Sequence, residues 1–191
     1  MIPYFAANDL IMFYKYLNNC TTYFEFGCGG STFQASSRTN IQKVYSVESD
    51  KDWVMKVINS VNQSKVTIFY TNLETKPKTW GYPGSNCTDA SKKLYSDRIL
   101  HLSPSLQEKI DLVLIDGRFR VACCLKTFNA VSSTAVIVFD DFLDRPHYFE
   151  VLNYFDVIDQ TSDKRMAVLK KKAGIEKVSE DIIKKYELDH R

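Results

Sequence analysis

Residues 22–36 read TYFEFGCGGSTFQAS: a short run of β-branched and aromatic residues carrying one carboxylate, Glu25, then three glycines in four positions, then Ser31 and Thr32. Alternating large side chains with β-branching predict a strand over 22–26. Glycines at the point where a strand gives way to helical spacing let something approach the backbone closely. Ser31 or Thr32 is placed to cap the helix that follows.

The same rhythm continues outward. Apolar, β-branched or aromatic runs at 43–48, 65–70, 111–116 and 135–140 predict four more strands. Helical spacing is expected near 7–18, 31–38, 51–61, 91–102, 119–132 and 146–153. Residues 165–172, RMAVLKKK, read as a last strand, an antiparallel edge whose lysines 170–172 are solvated. Residues 176–188, EKVSEDIIKKYEL, read as a C-terminal helix. Strand-then-helix order implies an α/β fold: a Rossmann-like, doubly wound and mostly parallel sheet with helices on both faces. One connection breaks the pattern. Residues 73–90, LETKPKTWGYPGSNCTDA, form a long loop that can serve as a lid, with Trp80 and Tyr82 placed to stack on a ligand.

The bulk numbers narrow the function. A chain of 191 residues is read as one domain, 1–191, with an N-terminal helical extension over 1–20. Its 25 basic and 23 acidic side chains nearly cancel, which predicts no nucleic-acid partner. No apolar run approaches the length of a membrane span, and the first residues lack the pattern of a signal peptide. Five cysteines, two adjacent at 123 and 124, suit neither a disulfide framework nor a zinc site, so reduced thiols and a cytoplasmic location are expected. A homodimer stays open.

Glu48 closes the second strand, 21 residues after Gly27, where a carboxylate can accept both hydroxyls of an adenosine ribose. NAD and S-adenosylmethionine (SAM) both fit glycines plus a distant acid. A dinucleotide turn needs a third glycine where this chain has Thr32, no tyrosine has lysine four residues on, and Glu25 suits a cofactor with a cationic amino-acid end. Those features choose SAM. The segments FEFGCGG, VYSVESD, LVLIDG and VIVFDDF then resemble, in order and spacing, the class I SAM-dependent methyltransferases over roughly residues 22–170. The resemblance implies that Glu25, Gly27, Cys28, Gly29, Gly30 and Ser31 cradle the methionine end. It also implies that Glu48 holds the ribose, that Asn72 lies near the adenine, and that Asp116 completes the pocket. Ser31 replaces the last glycine of the family's commonest pattern.

Residues 116–119 read DGRF, without the prolines of the methyltransferases that modify nucleobase amines. The acids at the strand ends, Asp116, Asp140 and Asp141, suit an oxygen-loving cation. The resemblance is closest to metal-dependent O-methyltransferases of small molecules, and implies Mg²⁺ on those three carboxylates activating an acceptor hydroxyl. Arg118 is the competing counter-charge that would make the cluster an ion-pair network. Asp116, Asp140 and His147 are the candidate catalytic groups. Arg118, Arg120 and Arg145 flank the site, where they can grip an acceptor's phosphate or carboxylate. The acceptor expected is a sugar or nucleotide-sugar. Two rivals stay open: a metal-independent methyltransferase of protein or nucleic acid, and a non-catalytic scaffold that binds SAM or S-adenosylhomocysteine (SAH).

Overall fold

The computed structural model describes all 191 residues. Seven strands, β1 (Thr22–Phe26), β2 (Lys43–Glu48), β3 (Val66–Tyr70), β4 (Leu112–Ile115), β5 (Val136–Phe139), β6 (Phe155–Gln160) and β7 (Ala167–Lys171), form one sheet in the order β3-β2-β1-β4-β5-β7-β6. The first five are mutually parallel, and β7 runs antiparallel to both β5 and β6. Helices α1 (Ala7–Leu17), α2 (Gly30–Ser36), α3 (Lys51–Ile58), α4 (Asp89–Asp97), α5 (Pro104–Gln107), α6 (Arg120–Ala130) and α7 (Glu180–Lys184) cover the faces.

The first five strands lie where the apolar runs put them, because a parallel strand buried on both faces must be apolar nearly throughout. β4 shows this plainly: all four residues of LVLI are buried. Strand β6 escaped notice for the opposite reason. Its sequence FDVIDQ lies at the sheet edge with one residue buried, so it has no apolar run to detect. Segment 165–172 therefore does not form the edge but lies between β5 and β6. Its lysines are also less solvated than expected, since Lys171 and Lys172 donate to the carbonyls of Val131 and Leu152. Residues 146–153 wind as a 3-10 helix after Pro146, and α4 begins early because the Thr88 hydroxyl accepts the Ser91 N–H.

Two apolar layers sandwich the sheet. The larger packs Phe24, Phe26, Val113 and Ile115 against α6, whose Cys123 and Cys124 face this core. The smaller packs Tyr23, Val44, Leu112 and Leu114 against α1 and α2. No helix is long and apolar enough to cross a membrane.

Candidate active site

Strand order reverses between β1 and β4, and in open parallel sheets the crevice beyond the carboxyl ends at such a reversal is where ligands bind. Gly27 holds the turn there at φ 96°, a conformation that disfavours side chains. A Cβ on Gly27 would lie 3.0 Å from the Asp116 carbonyl, so the β1 and β4 loops touch only because the residue is glycine. At Gly30 a Cβ would come within 2.3 Å of the Ile2 carbonyl and the Pro3 nitrogen. The N-terminal residues thus strap across the start of α2, and Gln34 Nε2 donates to the Met1 carbonyl at 2.8 Å.

Glu25 is fully buried beside this turn. Its carboxylate accepts hydrogen bonds from Ser31 Oγ at 2.6 Å, Ser46 Oγ at 2.6 Å, Tyr23 Oη at 2.9 Å and the Thr32 hydroxyl. Four hydroxyls fill the four acceptor positions of a carboxylate. Glu25 therefore ties α2 to β1 and β2 instead of facing the crevice, as the resemblance had implied. Burial pushes its pKa up to about 7, against the pull of those donors.

Glu48 is the acid that does reach the crevice. Its Oε1 accepts the N–H groups of Ser49 and Asp50 at 2.6 and 2.9 Å, and its Oε2 accepts the Cys28 N–H at 3.2 Å. The β2 carboxylate and the glycine turn are thereby joined. Trp53 Nε1 donates to the Cys28 carbonyl at 2.7 Å, closing the turn from the α3 side. The thiol of Cys28 is buried and its pKa is pushed far up, so this cysteine contributes backbone and no nucleophile. Asn72 turns away: its amide accepts from Glu74 N and donates to Glu74 Oε1, pinning the base of the long loop.

That loop lies over the crevice. The Gly84 N–H bonds the Leu73 carbonyl at 2.8 Å, closing its base. A Cβ on Gly81 would sit 3.1 Å from Ser49 Oγ, which places the loop against the end of β2. Trp80, 73% exposed, packs on Tyr4 of the N-terminal strap with ring centroids 5.6 Å apart. Tyr82 lies under the Arg118 guanidinium at 4.4 Å and meets the His190 ring at 5.6 Å.

Two of the three strand-end acids, Asp116 and Asp141, are paired with arginine, and the arginine on Asp116 is not the one expected. Arg120 Nη2 lies 3.1 Å from Asp116 Oδ1, while Nη1 donates to the Asp140 carbonyl at 2.6 Å. Asp141, in a left-handed conformation at φ 52°, is held by Arg145 at 2.6 Å and Arg165 at 2.5 Å, one on each oxygen. Burial raises the pKa of both Asp116 and Asp140; the charges of Asp116 and Asp141 push Asp140 further, to about 9, while Arg120 pulls both down. The expected Mg²⁺ site at Asp116, Asp140 and Asp141 does not fit this arrangement. Asp141 has both oxygens on guanidinium groups, and no three His, Cys, Asp or Glu side chains are disposed to hold a metal ion.

His147 stands apart from this network, exposed and against the Tyr148 ring at 4.3 Å. Partial burial and the nearby Arg191 lower its pKa. Two participants carried no recognisable signal. Arg165 reaches Asp141 from the turn before β7, a contact 24 residues distant. Asp9, fully buried in α1 with both oxygens unpartnered, lies 3.8 Å from the same arginine. Ser46 did carry one: a hydroxyl in the middle of an apolar strand, paired in register with Glu25.

No protein-family model and no curated protein sequence matches the chain. Solved structures do. The chain aligns over 96% of its length with 94% of a methyltransferase-like protein from Silicibacter pomeroyi DSS-3, at TM-score 0.80 and 24% identity. It covers 86% of a candidate caffeoyl-CoA O-methyltransferase from Staphylococcus aureus with 90% of its own length, at TM-score 0.52 and 15% identity. It also aligns with the N-methyltransferase NodS from Bradyrhizobium japonicum WM9 in complex with SAH, over 84% of each chain, at TM-score 0.55 and 11% identity. The fold is the Rossmann-like fold of these methyltransferases.

Proposed function

We infer that the protein is a SAM-dependent methyltransferase that acts on a hydroxyl of a small molecule, a sugar or nucleotide-sugar. The observation that carries the reading is Glu48 bonded to Cys28 N at the strand-order reversal, which sets a ribose acceptor beside a glycine turn. The residues fit SAM. Glu48 Oε2 receives only one 3.2 Å bond and keeps acceptor capacity for a ribose hydroxyl. They fit a dinucleotide less well, because the Gly29 N–H that would meet a pyrophosphate already donates to Thr32 Oγ1 at 2.8 Å. When bound, SAM supplies a methyl carbon on a sulfonium sulfur that leaves as a neutral thioether.

An alcohol must lose its proton to become a good nucleophile. The Asp116–Asp140 pair is the group suited to take it. Asp116 is one-third exposed at its side chain and ion-paired to Arg120, while Asp140 behind it is buried with Oδ1 unpartnered. Arg120 fixes the tips of β4 and β5 together, which aims the pair at one point of the crevice. The fold neighbours include O- and N-methyltransferase names. The choice of oxygen rests on this carboxyl pair.

Incubation with SAM and a panel of monosaccharides and nucleotide sugars is expected to yield a singly methylated product by mass. Glu48→Ala should weaken SAH binding by about 1–3 kcal/mol, the scale of hydrogen bonds to a charged group. Tight NAD binding, or indifference of SAH affinity to Glu48→Ala, contradicts the reading. Because guanidinium groups occupy Asp116 and Asp141, chelators should leave turnover unchanged. Loss in EDTA restored by Mg²⁺ or Mn²⁺ would reinstate the metal.

A further inference from the structure

Four arginines approach the ends of β4 and β5, and three have carboxylate partners. Arg120 pairs with Asp116, and Arg145 and Arg165 pair with Asp141. Arg118 has none. It is only 8% exposed, and its Nε is shut off from solvent without an acceptor. Its one close partner is the Tyr82 ring. Its stem lies beside the loop at Gly81, where a Cβ would be 3.7 Å from Arg118 Cγ. A buried cation with no carboxylate in contact is costly; the Asp116 charge acts on Arg118 only from a distance, and contact with a phenol ring recovers only part of that cost. The planar fork of a guanidinium is matched to an oxyanion, which it binds through two parallel N–H donors. The stack Arg118, Tyr82, His190 runs outward from the crevice to the C-terminal tail, and Tyr82 is 44% exposed. The unpartnered group therefore lies at the rim, within reach of an acceptor entering over a filled cofactor site.

We propose that Arg118, backed by Tyr82, is the receptor for a phosphate or carboxylate carried by the methyl acceptor. The assignment of that oxyanion to the acceptor rests on the methyltransferase reading. Its other source would be the carboxylate of the cofactor itself. The test titrates SAH-saturated protein with inorganic phosphate and, separately, with acetate, followed by calorimetry and by the arginine Nε–H resonances. Saturable binding of at least one ion is expected, with a shift in one resonance that is absent from Arg118→Gln. Affinity for that ion should fall about tenfold or more in Arg118→Gln and several-fold in Tyr82→Leu, with SAH affinity within about twofold in both. The stronger of the two ions identifies the oxyanion. Absence of saturable binding in the wild type, or equal binding in Arg118→Gln, overturns the proposal. A tenfold loss of SAH affinity in Arg118→Gln also overturns it, by moving the guanidinium to the cofactor. Failure of the wild type to bind SAH would contradict the methyltransferase reading instead, and the anion titration is then read on the free protein.

Discussion

Asp116→Asn and Asp140→Asn are each expected to lower kcat by about 10²–10⁴-fold, the range of a lost general base, while SAH affinity stays within about twofold. Asp116 and Asp140 influence each other's titration, so neither residue alone owns the basicity. Burial holds both carboxyls above the ordinary range, and neighbouring carboxylates push Asp140 up to about 9, so the proton-accepting form becomes more populated as pH rises toward 9. Wild-type kcat/KM should climb with pH accordingly, and the Asn variants should lose that slope. Asp141→Asn separates this account from metal catalysis. With both oxygens on Arg145 and Arg165, Asp141 is a structural anchor, and its loss should lower Tm by a few degrees with kcat nearly unchanged. A kcat collapse in Asp141→Asn equal to the other two would mean that the three acids act on one ion.

The contrast between Asp141 and Asp116 shows where sequence reading succeeds and where it stops. That three acids end two adjacent strands was legible, because strands buried on both faces announce themselves as apolar runs and their last residues follow by counting. Which cation faces those acids was not. Arg118 is two residues from Asp116 and looked like its partner. The chain turns through a left-handed Phe119 before α6 begins, and it is Arg120, the first residue of that helix, that folds back onto Asp116. Arg165 arrives from a hairpin whose first strand, β6, has no apolar signature at all. The glycine turn was legible for a different reason. Its constraint is local: the positive φ at Gly27 is a property of that residue, whatever packs above it. The strap at Gly30 is not local, since Ile2 and Pro3 come from the other side of α1.

Glu25 illustrates the same limit and carries the largest expected effect on stability. A carboxylate before a glycine turn invites a ligand contact, yet the register of β1 on β2 puts Ser46 beside it, and the first turn of α2 adds Ser31 and Thr32. Glu25→Ala would leave four hydroxyls, all on buried or nearly buried residues, without their shared acceptor. The expected cost is about 3–5 kcal/mol, measured by denaturant unfolding, because stripped buried polar groups are among the few lesions of that size. Glu25→Gln should cost less and also reports the charge. The pKa of Glu25 is raised on folding from 4.5 to about 7. A raised acid favours the fold fully below its unfolded value and loses that contribution as pH climbs through the folded one. Between pH 4.5 and 7 the wild type should therefore lose about 3 kcal/mol relative to Glu25→Gln, which has no proton to release. If Glu25 instead met the cofactor directly, Glu25→Gln would lose SAH affinity by tenfold or more while its unfolding curve stayed close to wild type. The four hydroxyls argue for the opposite ordering, a fold weakened first and a pocket weakened only through it.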